Sequence, residues 1–378
     1  MPRSEFEFID SLRQRFGAAI GDDAAVFQTT ANKETVVTAD LLIEDIDFRR
    51  TTAPPTLLGH KALAVSLSDI AAMGARPRWS LISIGVPEDV WETEFVDEFY
   101  EGLQALASRY DVKLIGGDTS RTTEKIAIDS IAIGECNAGQ AVKRSGAQPG
   151  DQIFVSGSLG GAAAGLRLIE RGAHLAEQHL ADEDSQKIDH VLLRQLRPEP
   201  RAGWGIVLGG AAAGLRLIER GAHLAEQHLA DEDSQKIDHV LLRQLRPEPR
   251  AGWGIVLGEE RLATSMIDIS DGLSSDLNHL CDASRVGALI ESSLLPIDHQ
   301  VAELCGRRAL DPLQLALHGG EDFELLFTVK AGDVARLPRR VDGVELTRIG
   351  EVRREGDGVK ISEGSRIWDL NPGGWKHF

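Results

Sequence analysis

Apolar and polar positions follow two periods along the chain, and the switches between them mark out its elements. Phe6, Ile9, Leu12 and Phe16 recur at helical spacing and predict a helix over 5–16. A glycine turn with Asp22 and Asp23 leads into a first strand, and the β-branched run at 35–40 predicts a second. Pro54 and Pro55 open an apolar helix that runs to about Met73 and is closed by Gly74 and Pro77. A strand over 79–86, one amphipathic helix over 88–109, and strands over 112–115 and 125–134 complete the first half. Residues 137–150 are polar and punctuated by Gly and Pro, so a domain boundary is expected there, giving domains 1–137 and 138–378. The second half predicts strands over 151–156, 265–269, 287–291 and 323–329, helices over 274–283 and 313–317, and a hairpin tail ending in Trp375. Strands and helices interleave in both halves, which predicts an α/β or mixed α+β fold in two domains.

One feature interrupts this pattern. Leu159–Gly209 recurs letter for letter as Leu208–Gly258, 49 positions later. Solenoid repeats diverge, come in threes or more and carry atypical ends. Two identical copies instead indicate a very recent tandem duplication, or an engineered or accidental joining. Each copy offers the same Ala-rich helix (162–170 or 211–219) and the same downstream helix (185–196 or 234–245). One domain has room for one of each, so one set is expected in the core and about 49 residues looped out. Which copy packs stays open. Gly203, Gly205 and Gly209 form a near-match to a dinucleotide fingerprint, but Pro198 and Pro200 precede it where a strand is required, so it is rejected. Six of the eleven histidines lie in the repeat on helical stretches and are expected at the surface.

Composition narrows the function classes. The 378 residues carry 41 Lys and Arg against 59 Asp and Glu, a formal charge of −18, with no basic run. Nucleic acid and anionic membranes are not expected partners. Cys136, Cys281 and Cys305 are scattered without metal spacing, which argues against a disulfide framework and structural zinc. Neither a signal-peptide pattern nor an apolar run of about 20 residues is present, so a cytoplasmic protein is expected.

The chemistry follows from what is missing and what recurs. Walker-type and kinase-type glycine loops, a G-x-S-x-G elbow and an H-E-x-x-H helix are all absent from the sequence. Aspartate instead appears repeatedly at strand ends and loop starts: Asp22 and Asp23, Asp40 after Thr38, Asp69 among small residues, Asp118 after two glycines, and Asp268 and Asp271 around Ser270. A single such Asp is ordinarily a helix cap. Six such sites in glycine-rich or small-residue settings make independent capping a poor account, because buried carboxylates need a compensating cation. Hard oxygen ligands favour Mg²⁺ shared with substrate phosphates.

Six ordered motifs carry a resemblance: Ile20–Val26, Leu63–Ala75, Ile115–Thr119, Arg144–Asp151, Ile267–Leu273 and Gly319–Phe327. Together they resemble the thiamine-monophosphate kinase family of the aminoimidazole-ribonucleotide synthetase-like superfamily, from about residue 5 to the C-terminus. The resemblance implies an N-terminal ATP- and Mg²⁺-binding sheet domain that forms a homodimer, and a C-terminal α/β domain. It implies transfer of a phosphoryl group from ATP to thiamine monophosphate with several Mg²⁺ ions. The implied metal ligands are Asp23, Thr38, Asp40, Asp69, Asp118, Asp268 and Asp271. ATP would meet Gly117, Asp118, Arg144 and Ser270, and thiamine monophosphate would meet Glu321 and Trp375. No general base is implied.

Two positions depart from the family pattern. Asp47 stands where a His commonly precedes the Phe that here is Phe48, and it is either a hydrogen-bond acceptor for the aminopyrimidine or a plain loop residue. Ala39 replaces a hydroxyl residue often found between Thr38 and Asp40. Two alternative functions stand beside the kinase: a protein that binds ATP or thiamine phosphate but is disabled by the duplication, and another ATP-dependent enzyme of the superfamily. The first would follow if the extra copy displaced the strand over 265–269.

Overall fold

The computed structural model describes residues 25–30, 32–173, 231–308 and 310–375, so the predicted helix over 5–16 and the candidate ligand Asp23 lie outside the described residues. Two sheets form the frame. The first has five strands, β1 (Ala25–Thr30), β2 (Lys33–Ile43), β3 (Arg76–Val86), β4 (Lys113–Arg121) and β5 (Ala127–Asn137), in the order β1-β2-β5-β3-β4. All neighbours are antiparallel except β3 and β4. Every second residue of β5 is buried, as a sheet covered on one face requires.

The covering element is helix α1 (Pro55–Ala72), which starts with proline at its first position. Most of its residues are buried on all sides, because the sheet, a second helix and the C-terminal half each take one face. The predicted helix over 88–109 is two helices, α2 (Glu88–Trp91) and α3 (Phe95–Arg109). The break has a local cause: the Thr93 hydroxyl accepts the Phe95 N–H at 3.2 Å, starting the second helix afresh. Where α1 and α3 cross, a Cβ on Gly59 would lie 1.8 Å from the Phe99 carbonyl oxygen, and one on Gly102 would lie 1.8 Å from that of Thr56. Only glycine on both helices permits this approach.

The second sheet runs β13-β12-β8-β11-β6-β9-β7, with β10 paired on β11. Its strands are β6 (Gln152–Ser156), β7 (Ala263–Asp268), β8 (Val286–Glu291), β9 (Leu325–Val329), β10 (Arg340–Val341), β11 (Val344–Arg354), β12 (Val359–Glu363) and β13 (Arg366–Asp369). Only β12 and β8 run parallel, so this sheet too is mixed. The central strand β11 falls in the tail that the sequence pattern reads only as a hairpin.

The repeat contributes to the packed fold from both copies. Helix α4 (Gly161–Glu170) comes from the first copy, while α5 (Asp231–Leu245) and α6 (Ala251–Glu259) come from the second. Ala164 and Leu168 of α4 pack with Val240 and Leu241 of α5 in one apolar cluster. The other set of repeat helices lies outside the described residues. The second copy's version of the rejected fingerprint, Gly252–Gly258, is helical, and its glycines serve packing. Cβ atoms on Gly254 and Gly258 would each lie 2.3 Å from the backbone oxygens of Ala71 and Gly74 at the end of α1, and Trp253 is fully buried beside them. His239 corrects another expectation. It is largely buried and lies 2.8 Å from Asp298, not on the surface. Helices α7 (Leu273–Ser284), α8 (His299–Arg308) and α9 (Pro312–His318) complete the second half. No helix among the described residues is long and apolar enough to cross a membrane.

Candidate active site

The C-terminal half of α1 organises the site through hydroxyl groups. Successive helical residues turn about 100°, so Ser66 and Ser68 face nearly opposite ways, whereas Asp69 returns towards the side of Ser66. On the sheet side, Ser66 Oγ donates to Asp40 Oδ2 at 2.7 Å and lies 2.9 Å from Ser130 Oγ, and Thr38 Oγ1 donates to the Asp69 carboxylate. On the other side, Ser68 Oγ donates to Asp268 Oδ2 at 2.6 Å, and both groups are buried. One helix turn thus holds the carboxylates of β2 and α1 on its sheet side and that at the end of β7 on its other side.

Beyond Asp268 the chain passes through Ser270 and Asp271 into α7. Asp276, in the first turn of that helix, accepts the N–H groups of Asp271 at 3.2 Å and Gly272 at 3.0 Å, which fixes the loop. The segment 319–324 runs alongside: Glu321 N–H donates to the Ser270 carbonyl at 2.8 Å and Phe323 N–H to that of Ile269 at 2.9 Å. Glu321 and Phe323 both have left-handed backbone, with φ of 65° and 49°. This conformation is uncommon for residues other than glycine and is the kind of local strain that surrounding contacts must hold.

The three acidic groups of this segment divide by partner. Asp322 accepts the N–H groups of Gly160 and Ala162 at 2.7 and 3.1 Å and so caps α4; burial pushes its carboxyl up to about 6. Glu324 is fully buried, held by Arg250 through two contacts of 2.5 Å, by Arg243 at 3.2 Å and by Ser156 at 2.8 Å. Burial alone would raise the Glu324 carboxyl, but the two arginines more than offset it and hold it below its ordinary value. Glu321 is the outward member. Lys61 Nζ reaches its Oε1 at 2.6 Å and Gln244 donates to its other oxygen.

The C-terminal tail closes over the start of α7. Gly373 N–H donates to Ser274 Oγ at 3.2 Å, Gly374 N–H to Ser275 Oγ at 3.1 Å, and Trp375 N–H to the Asp271 carbonyl at 3.1 Å. A Cβ on Gly374 would lie 1.8 Å from that carbonyl oxygen, so the tail can lie this close only through glycine. Trp375 stands 53% exposed beside the loop and does not plug the core.

Comparison with known proteins decides the family. The chain matches the AIR synthase related protein N-terminal domain over residues 21–136 and the C-terminal domain over 201–362. It is 33% identical to thiamine-monophosphate kinase of Bacillus subtilis, covering 99% of each chain, and 32% identical to that of Escherichia coli K12, covering 99% of this chain and 95% of the other. The chain belongs to the thiamine-monophosphate kinase family. A solved ThiL structure complexed with AMPPCP and TMP is similar over 99% of this chain and 97% of that one, with 31% identity and a TM-score of 0.75. The thiamine-monophosphate kinase of Stenotrophomonas maltophilia K279a gives 34% identity and a TM-score of 0.66, covering 95% and 96%.

Measured against the ligand set that the family resemblance implies, the structure brings Thr38, Asp40, Asp69 and Asp268 together around α1, with Ser270, Asp271, Glu321 and Trp375 joined through the adjoining loops. Arg144 lies on the flank. Its carbonyl accepts Ser284 Oγ at 2.9 Å, while neighbouring Lys143 accepts the N–H of Met266 in β7 at 2.9 Å. Gly117 and Asp118 stand apart on the exposed edge strand β4. Asp118 is in register with Ser83, and Ser83 with Asp129, whereas Thr38 and Asp40 are in register with Ala132 and Ser130. Alternation therefore puts Asp118 on the uncovered face of the sheet, opposite the α1 cluster. Among the described residues no three His, Cys, Asp or Glu groups already converge as a metal cluster. Asp47 has a local partner, since its carboxylate accepts the Ile43 N–H at 2.7 Å. Sequence reasoning missed Lys61 and Gln244, and treated Ser66 and Ser68 only as small neighbours of Asp69. The seven-residue interval between Lys61 and Ser68, two turns on one helix face, was the available signal.

Proposed function

We propose that the chain transfers the γ-phosphoryl group of ATP to thiamine monophosphate, giving thiamine diphosphate and ADP, as a transferase of thiamine biosynthesis. The observation that carries this reading is the Ser68–Asp268 contact, which draws aspartates from both halves onto one helix in a chain of this family. The premise of a disabled protein finds no support, because β7 pairs with β9 from Ala263 to Asp268 beside the duplicated segment.

The donor set fits Mg²⁺ because it is all oxygen: carboxylates of Asp40, Asp69 and Asp268, each accepting a hydroxyl around α1. Thr38, Asp40, Asp69, Asp268 and Asp271 would hold the ions, with Asp23 as a further ligand, whereas Asp118, on the opposite face of the sheet, does not join this set. When bound, Mg²⁺ would supply positive charge to offset that of the phosphate oxygens. The rest of the work falls to the chain. The acceptor is a phosphate oxygen already largely ionised at neutral pH, since its second pKa is about 6, so no general base is required. Arg144 offers a fixed cationic fork to the ATP phosphates, with Gly117 and Ser270 on the nucleotide. Glu321 accepts hydrogen bonds from the thiamine moiety. Trp375, half-exposed beside the Asp271 loop, stacks on its cationic ring.

A homodimer completes the reading. Leu41 and Ile115 are 62% and 55% exposed on the five-stranded sheet, whose face away from α1 has no covering layer among the described residues. The test is Mg²⁺-dependent turnover of ATP and thiamine monophosphate, with thiamine diphosphate read by chromatography and Asp268→Asn as the blank. Product that disappears in the variant supports the reading. A folded wild-type protein that binds ATP but forms no product overturns it.

A further inference from the structure

We infer that Lys61 and Gln244 are positioning residues for Glu321, pinning its carboxylate so that its outward lone pairs meet the thiamine moiety; this inference rests on the kinase reading above. Three observations carry it. Glu321 sits on left-handed backbone in a loop, with φ of 65°, so its own chain does little to fix the side chain. Both of its oxygens are nevertheless engaged: Lys61 Nζ lies 2.6 Å from Oε1 and the Gln244 amide donates to the other. Finally, Lys61 is 5% exposed whereas Glu321 is 31% exposed, so the ammonium approaches from the protein side and the carboxylate keeps an open side. A carboxylate has about four acceptor sites, so two such donors leave it able to accept from a ligand.

The arrangement also sets a length. Lys61 and Ser68 stand on one face of α1, seven residues apart, which at 1.5 Å per residue is about 10.5 Å along the axis. Lys61 holds the carboxylate proposed for the thiamine end of the substrate, and Ser68 holds Asp268 at the proposed metal end. One rigid helix therefore fixes the spacing between the two ends of the site. Pairing with an ammonium leaves the Glu321 site close to neutral, which suits recognition of an amino N–H donor rather than capture of a cation.

The experiment measures dissociation constants for thiamine monophosphate and for AMPPCP by calorimetry on the full-length wild type and on Lys61→Met, Gln244→Leu and Glu321→Gln. Gln195→Leu makes the same chemical change at the matching position of the first repeat copy. Lys61→Met and Gln244→Leu should each weaken thiamine monophosphate by about tenfold, as loss of a hydrogen bond to a charged group does, and leave AMPPCP within about twofold. Gln195→Leu should match the wild type for both ligands. The inference is overturned if the Lys61 and Gln244 variants bind thiamine monophosphate like the wild type while Glu321→Gln does not, or if both ligands weaken together. Failure of the kinase reading looks different: the wild type itself would bind no thiamine monophosphate.

Discussion

The two repeat copies make a matched pair of substitutions possible, because Arg201 and Arg250 have identical neighbours in sequence and it is Arg250 that pairs with Glu324. Arg250 does so through two contacts of 2.5 Å, with its side chain 11% exposed and that of Glu324 fully buried. Arg250→Met would leave Arg243 as the remaining cation on Glu324, at 3.2 Å. Removing one partner of a buried pair costs about 3–5 kcal/mol, much of it the penalty of an uncompensated charge. The second arginine places the expected loss near the lower end. At about 2 °C per kcal/mol for a chain of this size, the melting temperature should fall by roughly 6 °C or more. Arg201→Met should leave it unchanged. Differential scanning fluorimetry on both variants and on the double variant checks this. An Arg201→Met loss equal to that of Arg250→Met would refute the assignment of the packed helices to the second copy. So would two silent single variants with a destabilised double variant, because the copies would then exchange freely.

Two further predictions use other parts of the site. Asp322 has a folded pKa of about 6, raised by burial above an unfolded value of about 3.9. The folded state therefore binds more protons than the unfolded state between these values, and the carboxylate costs stability as pH rises through that window. Asp322→Asn keeps one acceptor oxygen, so one of the Gly160 and Ala162 N–H groups loses its partner, but it carries no titrating charge; its stability relative to the wild type should therefore rise between pH 4 and pH 6, by at most about 3 kcal/mol. Urea titrations at the two pH values read the difference, and a pH-independent offset would count against the account. Gly374→Ala forces a Cβ against the Asp271 carbonyl and should release the tail, raising the KM for thiamine monophosphate several-fold with the KM for ATP unchanged. Equal changes in both constants would mean that the tail serves the Asp271 loop and not the substrate.

Much of the frame was legible in the sequence because it obeys one local rule at a time. The strands at β2, β3, β5 and β7 and the helix α1 follow from period, β-branching and end signals, and the aspartates stood out through their glycine-rich or small-residue settings. What the sequence hid depended on partners far along the chain. The segment Ala251–Glu259 carries four glycine and tryptophan positions that look like a loop or a fingerprint, yet its glycines are there because Ala71 and Gly74 pass within contact of them. Asp322 and Glu324 stand in the same motif as Glu321 but satisfy the α4 terminus and a buried arginine pair. The break in 88–109 turned on a single hydroxyl. Asp118 and Asp40 have the same local grammar, a strand followed by an acidic residue, and only the register of the whole sheet separates them by face.

The composition of α1 explains why the site lies where it does. A helix buried all round is normally apolar all round, and this one nearly is: Thr56 lies in its first turn, His60 meets the Pro247 carbonyl at 2.8 Å, and the remaining exceptions are Lys61, Ser66, Ser68 and Asp69. Each of these last exceptions faces an acidic or hydroxyl group supplied from another element: Glu321, Asp40, Asp268 and Thr38. An isolated polar group in such a position would cost several kcal/mol, so the helix tolerates them only because both sheets deliver partners to it. Conversely, the partners are carboxylates that the sheets could not bring together without a common surface. The seam between the two halves is thus held by the same contacts that gather the acidic groups. A change that loosens the seam, such as loss of the Ser68 hydroxyl, should disperse the carboxylates before it unfolds either sheet.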